Sequence, residues 1–451
     1  MKNTSLHSVL TQQHHDLGGK AAVISGATTL MYGDWWLCDP IFSGKSILLY
    51  FSDAASLAKA LIAFDGVAKA ICPLSNEIRE GDLEHILSLH SFDYAVTNVS
   101  GSKQSIFSEK GIVPISLPDI GILKKSNSGG SKLTKWLVPT SGTTSKPKLV
   151  EHTLHSLANS ALKSENGAEG NEVWALFYDP TRYAGYQVLF KALLKGSTLI
   201  SPGLNDPISE RVQVCIDNNV THISATATLW RKILMSPGAE NIPLKNIVLG
   251  GEAADQPTLN ALRAKYPKAK IIHVYASTEA GVAMSVSDGL AGFPIEYTEE
   301  QSAGTKLKIV NDRLYINSKA AGSSYIGERE LFDSDGWVDT GDLVRLEEGR
   351  FFVIGRANGV INVGGDKILP ERVRHLLLEH PKVSDAHIYG KKNPFTGMLL
   401  VADVKLARGA DPKTIPNELK EFVRHQLSAT HEPKIINIVD DIATNSTGKV
   451  T

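Results

Sequence analysis

Between residues 20 and 275, short apolar runs alternate with helix-length stretches, and this rhythm restricts the possible folds more than any other feature. The runs at 21–24, 47–51, 68–72 and 94–96 are separated by helical stretches such as 56–63 and 83–89. After a polar break at Ser126-Asn127-Ser128-Gly129-Gly130-Ser131 the rhythm returns, with strands expected at 135–139, 173–177, 198–200, 222–225, 246–249 and 271–275. Helices are expected at 208–218 and 256–265. Such alternation predicts layered α/β subdomains.

From about residue 303 to 354 the pattern changes to short alternating segments. A Glu348-Gly349 turn between 343–346 and 350–354 predicts a hairpin in a β-rich subdomain. Residues 357–451 read as a small α/β module, with helices at 371–380 and 416–427 and strands at 386–389 and 399–406. Val373, Leu376 and Leu377 share one helical face. A chain of 451 residues is long enough for more than one core. The expected division is a large N-terminal domain, 1–356, and a small C-terminal α/β domain, 357–451.

Composition excludes several classes. Lys plus Arg number 47 against 48 Asp plus Glu, so the basic excess that nucleic acids or anionic membranes attract is missing. Cys38, Cys72 and Cys215 show no CxxC spacing, which argues against a zinc site or a disulfide framework. Residues 1–16 lack the apolar core of a signal peptide, and no apolar run approaches the ~18 residues of a membrane span. The expected setting is the cytoplasm.

The loop after the strand at 135–139 is dense in chemistry. Thr140-Ser141-Gly142-Thr143-Thr144-Ser145-Lys146-Pro147-Lys148 offers backbone N–H groups, hydroxyls and two cations to a phosphate chain. A plain flexible loop shares that composition. It is not a Walker A loop, because Pro147 stands where the second glycine belongs and Leu149 where a Ser or Thr comes after the lysine.

This loop resembles T-S-G-T-T-G-x-P-K of the adenylate-forming superfamily of acyl- and aryl-CoA synthetases, peptide-synthetase adenylation domains and luciferases, with Ser145 in place of the second glycine. The next stretch, Val150-Glu151-His152-Thr153, is similar to the family's segment after the loop. Further motifs come in the family's order. Tyr275-Ala276-Ser277-Thr278-Glu279 resembles Y-G-x-T-E, although Ser277 or Thr278 capping a helix would serve as a purely structural reading. Asp335-Gly336-Trp337-Val338-Asp339-Thr340-Gly341-Asp342-Leu343 is similar to D-G-W-x-x-T-G-D-L. Gly355-Arg356, Gly364-Gly365 and Thr447-Gly448-Lys449 complete the set.

The resemblance implies residue roles. Thr140, Ser141, Gly142, Thr143, Thr144 and Lys148 would cradle the phosphates of ATP. Tyr275 would lie near adenine, and Ala276, Ser277, Gly251 and Glu252 would join it in binding the nucleotide. Thr278 would bond the α-phosphate and Glu279 would bind Mg²⁺. Asp342 would accept from the ribose hydroxyls, a task suited to an acceptor-only carboxylate, with Arg356 directed at ribose or phosphate. Gly364 and Gly365 would line the passage for a pantetheine thiol, of CoA or of an acyl carrier protein. Lys449, on a mobile C-terminal domain, would bridge the substrate carboxylate and ATP. Gly359 stands at the hinge, where the family usually has Asp or Lys.

The implied reaction joins a carboxylic acid to AMP with loss of pyrophosphate and passes the acyl group to the thiol. Family precedent sets the acyl pocket around residues 183–186, residues 225–230 and Gly250-Gly251-Glu252-Ala253, and the apolar bodies of Tyr183, Tyr186 and Trp230 favour an aryl or medium acyl acid; these aromatics could equally be core. Tyr178-Asp179 superficially resembles the amino-acid-binding pair of peptide-synthetase domains. The alternatives are an amino-acid-activating or amide-forming ligase and, given Ser145, Ala276 and Gly359, a non-catalytic acyl-adenylate-binding protein.

Overall fold

The apolar runs become the inner strands of two large sheets. In the computed structural model, which describes residues 4–34, 36–101, 103–117, 133–140, 146–162, 171–298, 304–327, 330–363, 365–393, 397–407 and 409–443, the first sheet has eight strands. Ala21–Ser25, Thr198–Ser201, Val173–Leu176, His222–Ala225, Asn246–Gly250 and Lys270–Ser277 lie parallel in that order. Thr28–Met31 and Gly281–Val286 close its edges antiparallel.

The second sheet runs Val113–Ser116, Tyr94–Thr97, Ser46–Phe51, Ala70–Ser75 and Lys135–Pro139 in parallel, extended antiparallel by Leu149–His152 and Ser324–Tyr325. Ser46–Phe51 and Ala70–Ser75 are buried at every position, as strands covered on both faces must be. Helix Ala54–Phe64 packs against strands of both sheets, and its small alanines let it sit in that double interface.

The β-rich region forms a five-stranded sheet in the order Phe293–Pro294, Arg350–Arg356, Val338–Glu347, Arg313–Ser318, Thr305–Val310. The expected hairpin turn holds: Glu348 and Gly349 both have positive φ, 47° and 72°, as a two-residue turn matched to strand twist requires. Beyond it, Ile361–Val363 and Asp366–Ile368 pair as a small hairpin. Helices Pro370–Glu379 and Ile415–Gln426 cover a sheet of Val383–Asn393, Gly397–Leu406 and Ile435–Ile438. Val373, Leu376 and Leu377 are indeed buried there, beside Leu419 and Val423.

Three expectations shift. The run at 68–72 becomes Ala70–Ser75, which takes in Pro73. The strand at 386–389 extends to Val383–Asn393 because it pairs along its whole length with Gly397–Leu406. Gly355 and Arg356 end a strand instead of lying beyond one, because pairing continues to Asp342 across an irregularity at Leu343/Val344. At this junction Gly355 has a φ of 142°, which side chains rarely adopt, and its bare Cα leaves room for Glu371 Oε2, which a Cβ would meet at 2.7 Å. Cys38, Cys72 and Cys215 are free and buried. Among the described residues no helix is long and apolar enough to cross a membrane.

Candidate functional site

In open α/β sheets, ligands settle beyond the carboxyl ends of the parallel strands. Gly250-Gly251-Glu252 and Tyr275-Ala276-Ser277 occupy those ends in the first sheet. The segment after Ser277 is no helix: Ser277 pairs with Gly281, and Ser277 Oγ accepts from the Ala280 N–H at 3.0 Å inside a hairpin turn. The turn presents Thr278 and Glu279 at its tip.

The second sheet supplies the neck of the phosphate-loop candidate. Strands Lys135–Pro139 and Leu149–His152 are antiparallel partners. The Thr140 N–H donates to Lys148 O at 2.8 Å, and the Lys148 N–H donates to Thr140 Oγ1 at 3.1 Å. Arg182 braces the neck from below, donating to Thr140 O at 3.1 Å. Ser141, Gly142, Thr143 and Thr144 lie outside the described residues, as do Gly364 and Lys449.

His152 ties the two sheets together. Its Nε2 lies 2.7 Å from Thr278 O and its Nδ1 lies 2.9 Å from Ser156 Oγ. Burial lowers its pKa to about 4, so near neutrality the ring is uncharged. Nε2–H then donates to the carbonyl and Nδ1 accepts from the hydroxyl. Lys148 Nζ stands 4.8 Å from the centroid of the Tyr325 ring, and Tyr325 donates to Glu279 Oε1 at 3.3 Å. Two predicted site residues, Lys148 and Glu279, are thus joined through one tyrosine.

The antiparallel sheet contributes the third part. Tyr275 donates its hydroxyl to Asp342 Oδ2, and Arg356 Nε donates to Asp342 Oδ1 at 3.1 Å. Burial and the adjacent Asp342 push the Tyr275 phenol well up, so it remains a donor. Burial works against the charge on Arg356, but Asp342, Glu279 and Tyr275 outweigh it and raise its pKa. A carboxylate offers about four lone-pair positions; among the described residues each Asp342 oxygen accepts from one side chain, which leaves one position on each for a further donor.

Other predicted residues are placed differently. Glu252 Oε2 accepts from the Thr228 N–H at 2.9 Å, at the start of helix Ala227–Met235. Gly365 lies in the turn between Val363 and Asp366, and a Cβ there would meet nothing. Tyr183, Tyr186 and Trp230 are core residues; the Trp230 Nε1–H is bonded to Val248 O at 2.9 Å. His152 and Tyr325 were not picked out as site residues from sequence. His152 stands directly after the loop that singled out Lys148, whereas Tyr325 carries no local signal.

The sequence model of the AMP-binding enzyme family matches residues 43–328. The chain belongs to that family. Its AMP-binding match is succeeded by one to the AMP-binding enzyme C-terminal domain over residues 373–449. A probable 2-succinylbenzoate–CoA ligase of Mycobacterium tuberculosis is 27% identical to this AMP-binding enzyme over 326 residues, 70% of this chain and 82% of that one. 4-Coumarate–CoA ligase 1 of Glycine max is 26% identical over 281 residues, 57% of this chain and 94% of that one. Among solved structures, a benzoate CoA ligase from Burkholderia xenovorans superposes with a TM-score of 0.81 at 20% identity, covering 99% of this chain and 98% of the other. These relatives are acid–thiol ligases, and the last shares this enzyme's fold.

Proposed function

We propose that this AMP-binding enzyme is an AMP-forming acid–thiol ligase that activates an aryl carboxylic acid and transfers the acyl group to CoA. The observation that carries the reading is Asp342, held between Tyr275 and Arg356 with one acceptor position left on each oxygen, beside the Lys148–Tyr325–Glu279 chain. That is a ribose acceptor next to a cation and a carboxylate, as a nucleoside triphosphate demands. The aryl preference rests on relatives named for 2-succinylbenzoate, coumarate and benzoate.

In the first half-reaction a carboxylate oxygen attacks the α-phosphorus of ATP and pyrophosphate leaves. Both reactants are anionic, so catalysis depends on charge neutralisation and alignment. Lys148 and the hydroxyls and N–H groups of Thr140, Ser141, Gly142, Thr143 and Thr144 would hold the phosphates. Thr278, fixed through its carbonyl by His152, would bond the α-phosphate. Asp342 and Arg356 would orient the ribose, and Tyr275, Ala276, Ser277 and Gly251 would border the base. Lys449 would draw the carboxylate and the α-phosphate together.

Mg²⁺ is commonly held by one or two carboxylates together with substrate phosphates. Glu279, with the Tyr325 hydroxyl donating to Oε1, could supply one such carboxylate beside the ATP phosphates, where the ion would neutralise phosphate charge. In the second half-reaction the thiol sulfur attacks the acyl carbon and AMP leaves, the thiol proton going to solvent. We assign the nucleotide site to residues 1–356 and a reorienting role to 357–451, with Gly364 and Gly365 lining the thiol's path and Gly359 at the pivot. A carrier-protein thiol or an amine is the alternative acceptor. Free, buried cysteines suit a cytoplasmic setting.

The test is ATP–pyrophosphate exchange across aryl, fatty and amino acids, then product analysis with CoA, a carrier protein and an amine. Exchange with aryl acids and a CoA thioester product is expected. Exchange confined to amino acids, or no exchange with any acid, would overturn the reading.

A further inference from the structure

Helix Ala227–Met235 of the nucleotide-binding part meets the C-terminal part through buried charge. Arg231 Nη2 donates to Thr228 Oγ1 at 2.9 Å and to Asp385 Oδ1 at 3.3 Å. Arg374 Nη2 donates to the same two atoms, at 2.8 and 3.1 Å. Two guanidinium nitrogens from opposite sides of the junction therefore share two acceptors, one from each side. Arg231 Nη1 also pairs with Asp255 Oδ2 at 2.9 Å. Thr228, Arg231 and Asp385 are 0%, 8% and 1% exposed.

Like charges at this distance repel unless anions surround them. Burial works against the charge on Arg374, but Glu252 and Asp385 overcome it and raise its pKa. Burial likewise opposes charge on Asp255, yet Arg231 and the bonds from Thr258 keep its pKa low. The neighbouring His375 is driven by burial to about 4 and adds no cation near neutrality. A second strap lies nearby, where Lys232 Nζ reaches Asp441 Oδ2 at 3.0 Å and Ile442 O at 2.8 Å.

Such a contact has a particular energetic character. A buried ion pair gives back in desolvation much of what it gains in attraction, so it adds orientation more than net stability. When the surfaces separate, every charge regains water. An apolar contact of the same area would penalise separation far more.

We propose that Arg231, Thr228, Arg374 and Asp385 form a reversible latch that fixes one orientation of residues 357–451, and that Glu252 links this latch to the nucleotide site. The link is short. Glu252 comes directly after Gly251 at the ligand end of its strand and bonds the Thr228 N–H, while the Thr228 hydroxyl carries both arginines. The latch rests on the two-half-reaction reading above. Its members are positioning residues.

The test uses the full chain with dyes on Glu240→Cys and Glu421→Cys, both exposed positions on the two sides; the native cysteines are buried. Asp385→Asn keeps the shape and removes the charge, and Thr228→Val removes only the shared hydroxyl, so one variant remains if the other misfolds. Both should shift the distance distribution of the unliganded protein and change the ratio of adenylation to thioester-forming rates by about fivefold or more. An unmoved distribution, or equal loss of both rates, overturns the latch. If the parent chain catalyses neither half-reaction, the ligase reading fails while the distance measurement still judges the latch.

Discussion

Arg356 Nε lies 3.1 Å from Asp342 Oδ1, across two strands joined by the Glu348-Gly349 turn. The pairing aims the carboxylate, while Tyr275 occupies its other oxygen. A pair of hydroxyl donors, such as a ribose diol, matches the acceptor positions this leaves.

Asp342→Asn should therefore raise the KM for ATP by about 100-fold, the worth of one to two hydrogen bonds to a charged acceptor. The new amide would also turn a donor toward Arg356 or Tyr275. Pyrophosphate exchange at varied ATP measures this, and an unchanged KM would remove Asp342 from the ribose site.

Lys148→Ala should slow exchange by about 100-fold or more through loss of transition-state charge stabilisation, with little change in melting temperature. The Lys148 ammonium rests against the Tyr325 ring at the surface of the site and is not part of the core. Equal rates with and without the lysine would remove it from the phosphate site.

Lys449→Ala should abolish adenylation and leave thioester formation from synthetic acyl-adenylate within a few-fold of the parent. The two half-reactions assayed separately give the answer; joint loss would contradict separate active orientations.

Three histidines predict acid sensitivity. Burial lowers His152, His273 and His375 to about 4 each, from an ordinary 6.5. Their unfolded forms take up protons below 6.5 while the folded forms resist, so stability is full above that pH and falls toward pH 4. Each can contribute up to about 3 kcal/mol of loss. Urea melts at pH 7, 5.5 and 4.5 measure the slope, and His152→Asn should flatten it. A stability constant between pH 7 and 4.5 would refute the assignment.

Much of this was legible from the residues. Lys135–Pro139, His222–Ala225 and Gln256–Lys265 form where the apolar rhythm places them, because buried strands and amphipathic helices leave local patterns. The Glu348-Gly349 turn even sets most of the register that brings Asp342 toward Arg356. An unbroken register would pair Asp342 with Gly355; the irregularity at Leu343/Val344 moves the partner on by one. Such a shift decides which face a side chain occupies, and no residue type announces it. His152 to Thr278 spans 126 residues and Arg231 to Asp385 spans 154; contacts that distant arise only when sheets and domains assemble. The aromatics at Tyr186 and Trp230 left two readings open for a related reason, since a ring that lines a pocket and one that fills a core look alike in sequence; both prove fully buried.

The closeness of Gly355 and Glu371 bears on how this enzyme can be recombined. The two positions lie on opposite sides of the junction; a side chain at 355 would push the Glu371 carboxylate aside and strain a backbone whose φ is 142°. A chimera that takes its C-terminal segment from a relative should travel best when the residue it brings to 371 can lie against the bare backbone of 355, even with the seam drawn between them.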